Sequence, residues 1–122
     1  MAHEVGHHVQ NVLGIMDTVE QAKRKNPRNA NALSVRLELQ ADCFAGMWAR
    51  RTEAAKAKMD AGDFQEAMTA AAAVGDDTLQ RQAGGSVRPE SFTHGSSAER
   101  MQWFKRGFEQ GSLGACNTFV GI

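Results

Sequence analysis

"MAHEVGHHVQNVLGIM" (residues 1–16) decides how this chain is read, because two patterns share it. Val5, Val9, Val12 and Met16, with Leu13 beside them, recur at helical spacing. His3, His7, Gln10 and Gly14 fall on a different side, roughly opposite that stripe at ~100° per residue. The spacing predicts one helix with an apolar face to bury and a polar face built to hold something. His3-Glu4-Val5-Gly6-His7 fits H-E-x-x-H, in which one helix offers two imidazoles and a carboxylate to a single centre.

Residues four apart on a helix are neighbours, so His3 and His7 can reach one ion together. Zinc accepts neutral imidazole nitrogens and carboxylate oxygens in tetrahedral geometry, and a hydrolytic site leaves one position to water. Two histidines supply two ligands, so a third must come from elsewhere. "ELQADCFAG" (residues 38–46) offers it on a second helix, expected over about residues 32–59, with Glu38 and Asp42 four apart. If the two helices cross, Glu38 completes a two-histidine, one-carboxylate site. Asp42 then accepts the second ring N–H of a ligating histidine and fixes its tautomer. Glu4 need not bind metal; its expected task is to take a proton from the activated water and pass it to the leaving amine. Glu38 and Asp42 alone would read as a solvated helix face. The pairing of the two motifs on separate helices argues otherwise.

The rest of the chain also reads as helical. Leu37, Ala41, Phe44 and Trp48 make the expected apolar stripe of the second helix, after a connecting loop through "KRKNPRNANA" (residues 23–32). Its charged end is expected to be solvated and to stop near Gly62. A third helix is expected from Asp63, carrying Phe64, Ala67, Met68 and Ala71. "GDDTLQRQ" (75–82) restarts as a short helix, and "AGGSVRPESFTHG" (83–95) is loop. Ser96-x-x-Glu99 is a capping-box pattern opening a last helix with Met101, Phe104 and Phe108 at core spacing. Nothing alternates over a strand's length, so the expected class is mainly α, in one domain spanning 1–122.

Composition narrows the partners. Fourteen basic residues balance fourteen acidic ones, which argues against nucleic acid or an anionic membrane. No apolar run approaches a membrane span, and no signal peptide is visible. Cys43 and Cys116 are too far apart for a CxxC motif; spacing leaves two buried thiols and one disulfide equally open. His94, in "FTHGSS", is either an oxyanion donor or a loop histidine bonding backbone, the second being the expected role. His8 points away from His3 and His7 and is expected either in a structural role or at the surface. Arg36 reads as a surface ion pair, Arg81 and Arg88 as solvated. Trp48, Trp103, Phe104 and Phe108 read as packing residues.

The blocks "AHEVGHHVQNVLGI", "SVRLELQADCFAG", "GDDTLQ" and "PESFTHGSSAERMQWFKRGFEQG…CNTF" together resemble, in order and over nearly the whole chain, the bacterial neutral zinc metallopeptidases, the YpfJ-like proteins. That family is similar to gluzincins, in which the glutamate of an E-x-x-A-D segment is the third zinc ligand. The resemblance implies a zincin-like helical part, with His3, His7 and Glu38 as ligands, Glu4 as general base and Asp42 as support. It implies a Cys43–Cys116 disulfide and an exported or membrane-anchored protein acting on peptides. It also implies that a sheet region and an anchor normally precede the H-E-x-x-H helix, so this chain reads as a C-terminal piece. Three outcomes are then expected to compete: a zinc-dependent metallopeptidase, a metal-stabilised or metal-free helical remnant that does no catalysis, or a fragment that self-associates through its Val5 stripe.

Overall fold

The computed structural model describes residues 2–56, 69 and 75–119. The chain is mainly α-helical, and no strand occurs among the described residues. Among the described residues five α-helices of known bounds run in order: α1 (Ala2–Val12), α2 (Ile15–Lys25), α3 (Ala30–Lys56), α4 (Asp76–Gln82) and α5 (Ser97–Gln110). α3 is the axis, roughly 40 Å long at 1.5 Å per residue. It packs most extensively against α5 and next against α1, with α2 beside it. None of these helices is long and apolar enough to cross a membrane. The helix expected from Asp63, the expected stop near Gly62 and the last residues of the expected second helix lie outside the described residues.

The first helix is shorter than its periodicity predicts. α1 ends at Val12, Gly14 takes a left-handed φ of 76°, and α2 restarts at Ile15. A residue without Cβ adopts that conformation at little cost, which is why the chain turns there. Met16 therefore leaves the stripe of Val5, Val9 and Val12. Val12 and Leu13 stand exposed beside Trp48 and Leu113, at the rim of an open apolar groove with Val5 and Val9. The expected loop at 23–32 is also mostly helical: α2 runs through Lys25, a 3₁₀ turn spans Pro27–Asn29, and α3 starts at Ala30. Lys23, Arg24 and Lys25 face the negative end of α2, where cations stabilise a helix.

α3 does not bury a single stripe. From Leu39 to Met47 every residue is buried, because α1 and α5 cover different sides of it. Trp48, between buried Met47 and Ala49, is 46% exposed, correcting its expected place in the core. Two close crossings set the spacing. A Cβ on Gly6 would strike the backbone of Ala41, so α1 meets α3 backbone to backbone between the two histidines. Gly46 of α3 and Gly107 of α5 do the same for the other pair, against Phe104 and Cys43.

α5 begins as its sequence predicts. The Ser96 hydroxyl accepts from the Glu99 N–H at 3.1 Å, and the Glu99 carboxylate accepts from the Ser96 N–H at 3.0 Å. After Gly111 a 3₁₀ turn at Leu113–Cys116 brings the chain back to α3, where Cys116 is bonded to Cys43, both fully buried. Among the described residues Arg36 forms no ion pair. It donates to the Thr118 carbonyl at 2.9 Å while the Thr118 hydroxyl donates to the Arg36 carbonyl, clasping this tail to α3. His8, Arg81 and Arg88 are exposed as expected.

Candidate metal centre

Where α1 crosses α3, His3, His7 and Glu38 present one donor atom each, all within 4.8 Å of one another. His7 Nε2 lies 2.9 Å from Glu38 Oε2, and His3 Nε2 lies 3.5 Å from Glu38 Oε1. The two rings meet edge to face with centroids 4.6 Å apart. Ligands at 2.0–2.2 Å from a tetrahedral ion stand roughly 3.3 Å from each other, so these separations suit zinc. The remaining nitrogens suit it too. His3 Nδ1 donates to Asp42 Oδ1 at 2.8 Å, and His7 Nδ1 donates to Gln10 Oε1 at 2.9 Å. Each ring is thereby turned so that Nε2 faces the cluster, the arrangement metal-binding histidines adopt. The donor set fits zinc.

Two supports differ from expectation. Asp42 stands where the spacing put it, but Arg100 of α5, 5% exposed, holds it in turn. Arg100 Nε donates to Asp42 Oδ2 at 2.8 Å and Nη2 to Oδ1 at 3.1 Å. No local pattern around Arg100 announces this, since arginines are rarely buried unless paired. Gln10 did carry a signal, lying on the histidine face one turn beyond His7.

His94 comes to the cluster. Its Nε2 lies 3.3 Å from Glu38 Oε1, with the side chain half exposed. Asp76, at the start of α4, shapes the loop that carries it: Oδ2 accepts the backbone N–H groups of Thr93, His94 and Gly95 at 2.7–2.9 Å. Glu4 sits between the two histidines in sequence and is exposed on α1.

Charge follows geometry. Burial works against a charged His3 ring, but hydrogen bonds to Asp42 and Glu38 and the charge of Asp42 outweigh it, raising its pKa from 6.5 to about 9 against Arg100. The Glu38 hydrogen bond, the largest influence, raises His7 in spite of burial. Burial pushes the Glu38 carboxyl up, yet hydrogen bonds and charge from both histidines hold it well below the usual range. A metal entering here displaces protons.

Residues 1–119 match the family model described as "Putative neutral zinc metallopeptidase". This chain belongs to that family. It is 52% identical over 120 residues to YpfJ of Escherichia coli K12, an uncharacterized protein. It is 43% identical over 128 residues to the uncharacterized proteins Mb2605 of Mycobacterium bovis and Rv2575 of Mycobacterium tuberculosis. Each match covers 98% of this chain and 42% of the relative's length. No solved structure matches it.

Proposed function

We propose that this chain carries the zinc centre of a metallopeptidase that hydrolyses peptide bonds. The observation that carries the reading is the convergence of His3 Nε2, His7 Nε2 and the Glu38 carboxylate, with both histidines held from behind. His3, His7 and Glu38 would hold the zinc, which when bound would lower the pKa of a water and polarise the scissile carbonyl. Glu38 contributes an ionised carboxylate, Asp42 orients His3, and Glu4 takes a proton from the water and delivers it to the leaving amine. His94 is proposed to donate a hydrogen bond to the developing oxyanion. Its ring at the edge of the cluster, on a loop set by Asp76, supports that role over a purely structural one. The buried Cys43–Cys116 bond supports an oxidising compartment, hence export.

Metal analysis after purification without added zinc, paired with cleavage of an unfolded protein, tests the reading. Stoichiometric zinc is expected, lost together with cleavage in Glu38→Ala. Cleavage is expected to vanish in Glu4→Gln while zinc is kept. Zinc without cleavage, unaffected by Glu4→Gln, would instead favour a non-catalytic metal-stabilised fold.

A further inference from the structure

His3 leans on a carboxylate, but His7 leans on an amide, and an amide can support a metal-binding histidine only if it is held the right way round. Its oxygen accepts and its nitrogen donates, so a rotated side chain would present N–H to N–H. Gln10 is completely buried and cannot borrow water to compensate. Its Nε2 donates to the Leu37 carbonyl at 2.7 Å and to Gln40 Oε1 at 3.0 Å. Gln40 is fixed in the same sense, because its own Nε2 donates to the Cys116 carbonyl at 3.1 Å. Backbone carbonyls cannot reverse their polarity. Two of them, Leu37 and Cys116, therefore dictate both amides, and the only end Gln10 can offer His7 is its oxygen. That oxygen, 2.9 Å from Nδ1, requires an N–H there and leaves Nε2 as the nitrogen facing Glu38.

We propose that Gln10 is a positioning residue of the zinc centre, which fixes the ring and tautomer of His7 and is itself aligned through Gln40 by the Cys116 carbonyl. The site on α1 is thereby tied to the C-terminal segment that the Cys43–Cys116 bond anchors to α3. This rests on the reading of His3, His7 and Glu38 as zinc ligands.

Zinc dissociation constants of the wild-type chain and of Gln10→Leu, Gln10→Glu and Gln40→Leu, measured by competition with a chromophoric chelator, test it without recourse to activity. The absorption spectrum of the cobalt(II) forms reports the ligand geometry alongside. Gln10→Leu is expected to weaken zinc on the order of 10–100-fold, the usual cost of losing such a partner, and to alter the cobalt spectrum. Gln10→Glu keeps an acceptor for His7 but, even as the protonated acid, can donate to only one of Leu37 O and Gln40 Oε1, so it is expected to recover part of the loss. Gln40→Leu, which leaves the Gln10 amide oriented by the Leu37 carbonyl alone, is expected to weaken zinc less than Gln10→Leu. Unchanged affinity and spectrum in a folded Gln10→Leu overturn the proposal, as do equal losses in the Leu and Glu variants, which would mark a space-filling role. Should Gln10→Leu not fold, Gln40→Leu decides by the same criterion. A wild-type chain that binds no zinc removes the metal centre itself, whereas zinc-binding wild type with unaffected variants removes only the role of Gln10.

Discussion

The two sides of the candidate metal centre are supported by different chemistry. Behind His3 stands a buried ion pair, Asp42 with Arg100, which joins α1 and α3 to α5. Behind His7 stands a neutral file, Gln10 and Gln40, which ends on the carbonyl of Cys116. A buried charge left without its partner is far more costly than a buried amide in the same position. The His3 side is therefore the brittle one, and the His7 side depends more on orientation than on charge.

The disulfide tests the His7 side. It closes a loop with a sequence separation of 73, so replacing both cysteines with alanine is expected to cost about 4 kcal/mol. Removing the cation tests the other side. Arg100→Leu leaves the buried Asp42 carboxylate with His3 as its remaining partner among the described residues and is expected to cost about 3 kcal/mol in denaturant unfolding. A loss below about 1 kcal/mol, within the range of exposed pairs, would mean that Asp42 is solvated and the contrast false. Gln10→Leu should cost less, about 1–3 kcal/mol, for the partners it leaves unpaired. Gln10 and Arg100 stand behind different histidines, so the double variant is expected to be additive within roughly 0.5 kcal/mol. A larger coupling would merge the two sides into one unit.

The smallest effect concerns pH in the metal-free chain. His3 is raised from 6.5 to about 9, so its contribution is complete below pH 6.5 and is lost as pH rises through about 9. Glu38 is depressed below 4.5, so its contribution is complete above pH 4.5 and declines as pH falls below it. Thermal unfolding with a chelator present should therefore show greatest stability between about pH 4.5 and 6.5 from this cluster. A midpoint that climbs steadily from pH 6.5 to 9 would contradict the assignment.

The site was more legible in the sequence than the packing around it. His3, His7, Glu38 and Asp42 were readable because each pair lies four apart on one helix, and a helix turns local spacing into geometry. The capping box at Ser96 was readable for the same reason. Arg100 was not, because it meets Asp42 across 58 residues of chain and nothing beside it marks burial. Trp48 misled because a stripe presumes one buried face, whereas α3 is buried all round from Leu39 to Met47 and Trp48 is the first residue after that run to be exposed. Gly14 broke a periodic run that Val12 and Met16 would otherwise have carried through. The cysteine pairing needed the tertiary path, since the 3₁₀ turn at Leu113–Cys116 is what returns the tail to α3.

Everything mechanistic depends on one ion bridging α1 and α3. Anomalous diffraction from zinc-grown crystals, recorded on both sides of the zinc absorption edge, examines that directly. The expected result is a single peak bonded to His3 Nε2, His7 Nε2 and a Glu38 oxygen, present above the edge and absent below it. A peak elsewhere, or no peak between those three side chains in crystals supplied with zinc, would contradict it.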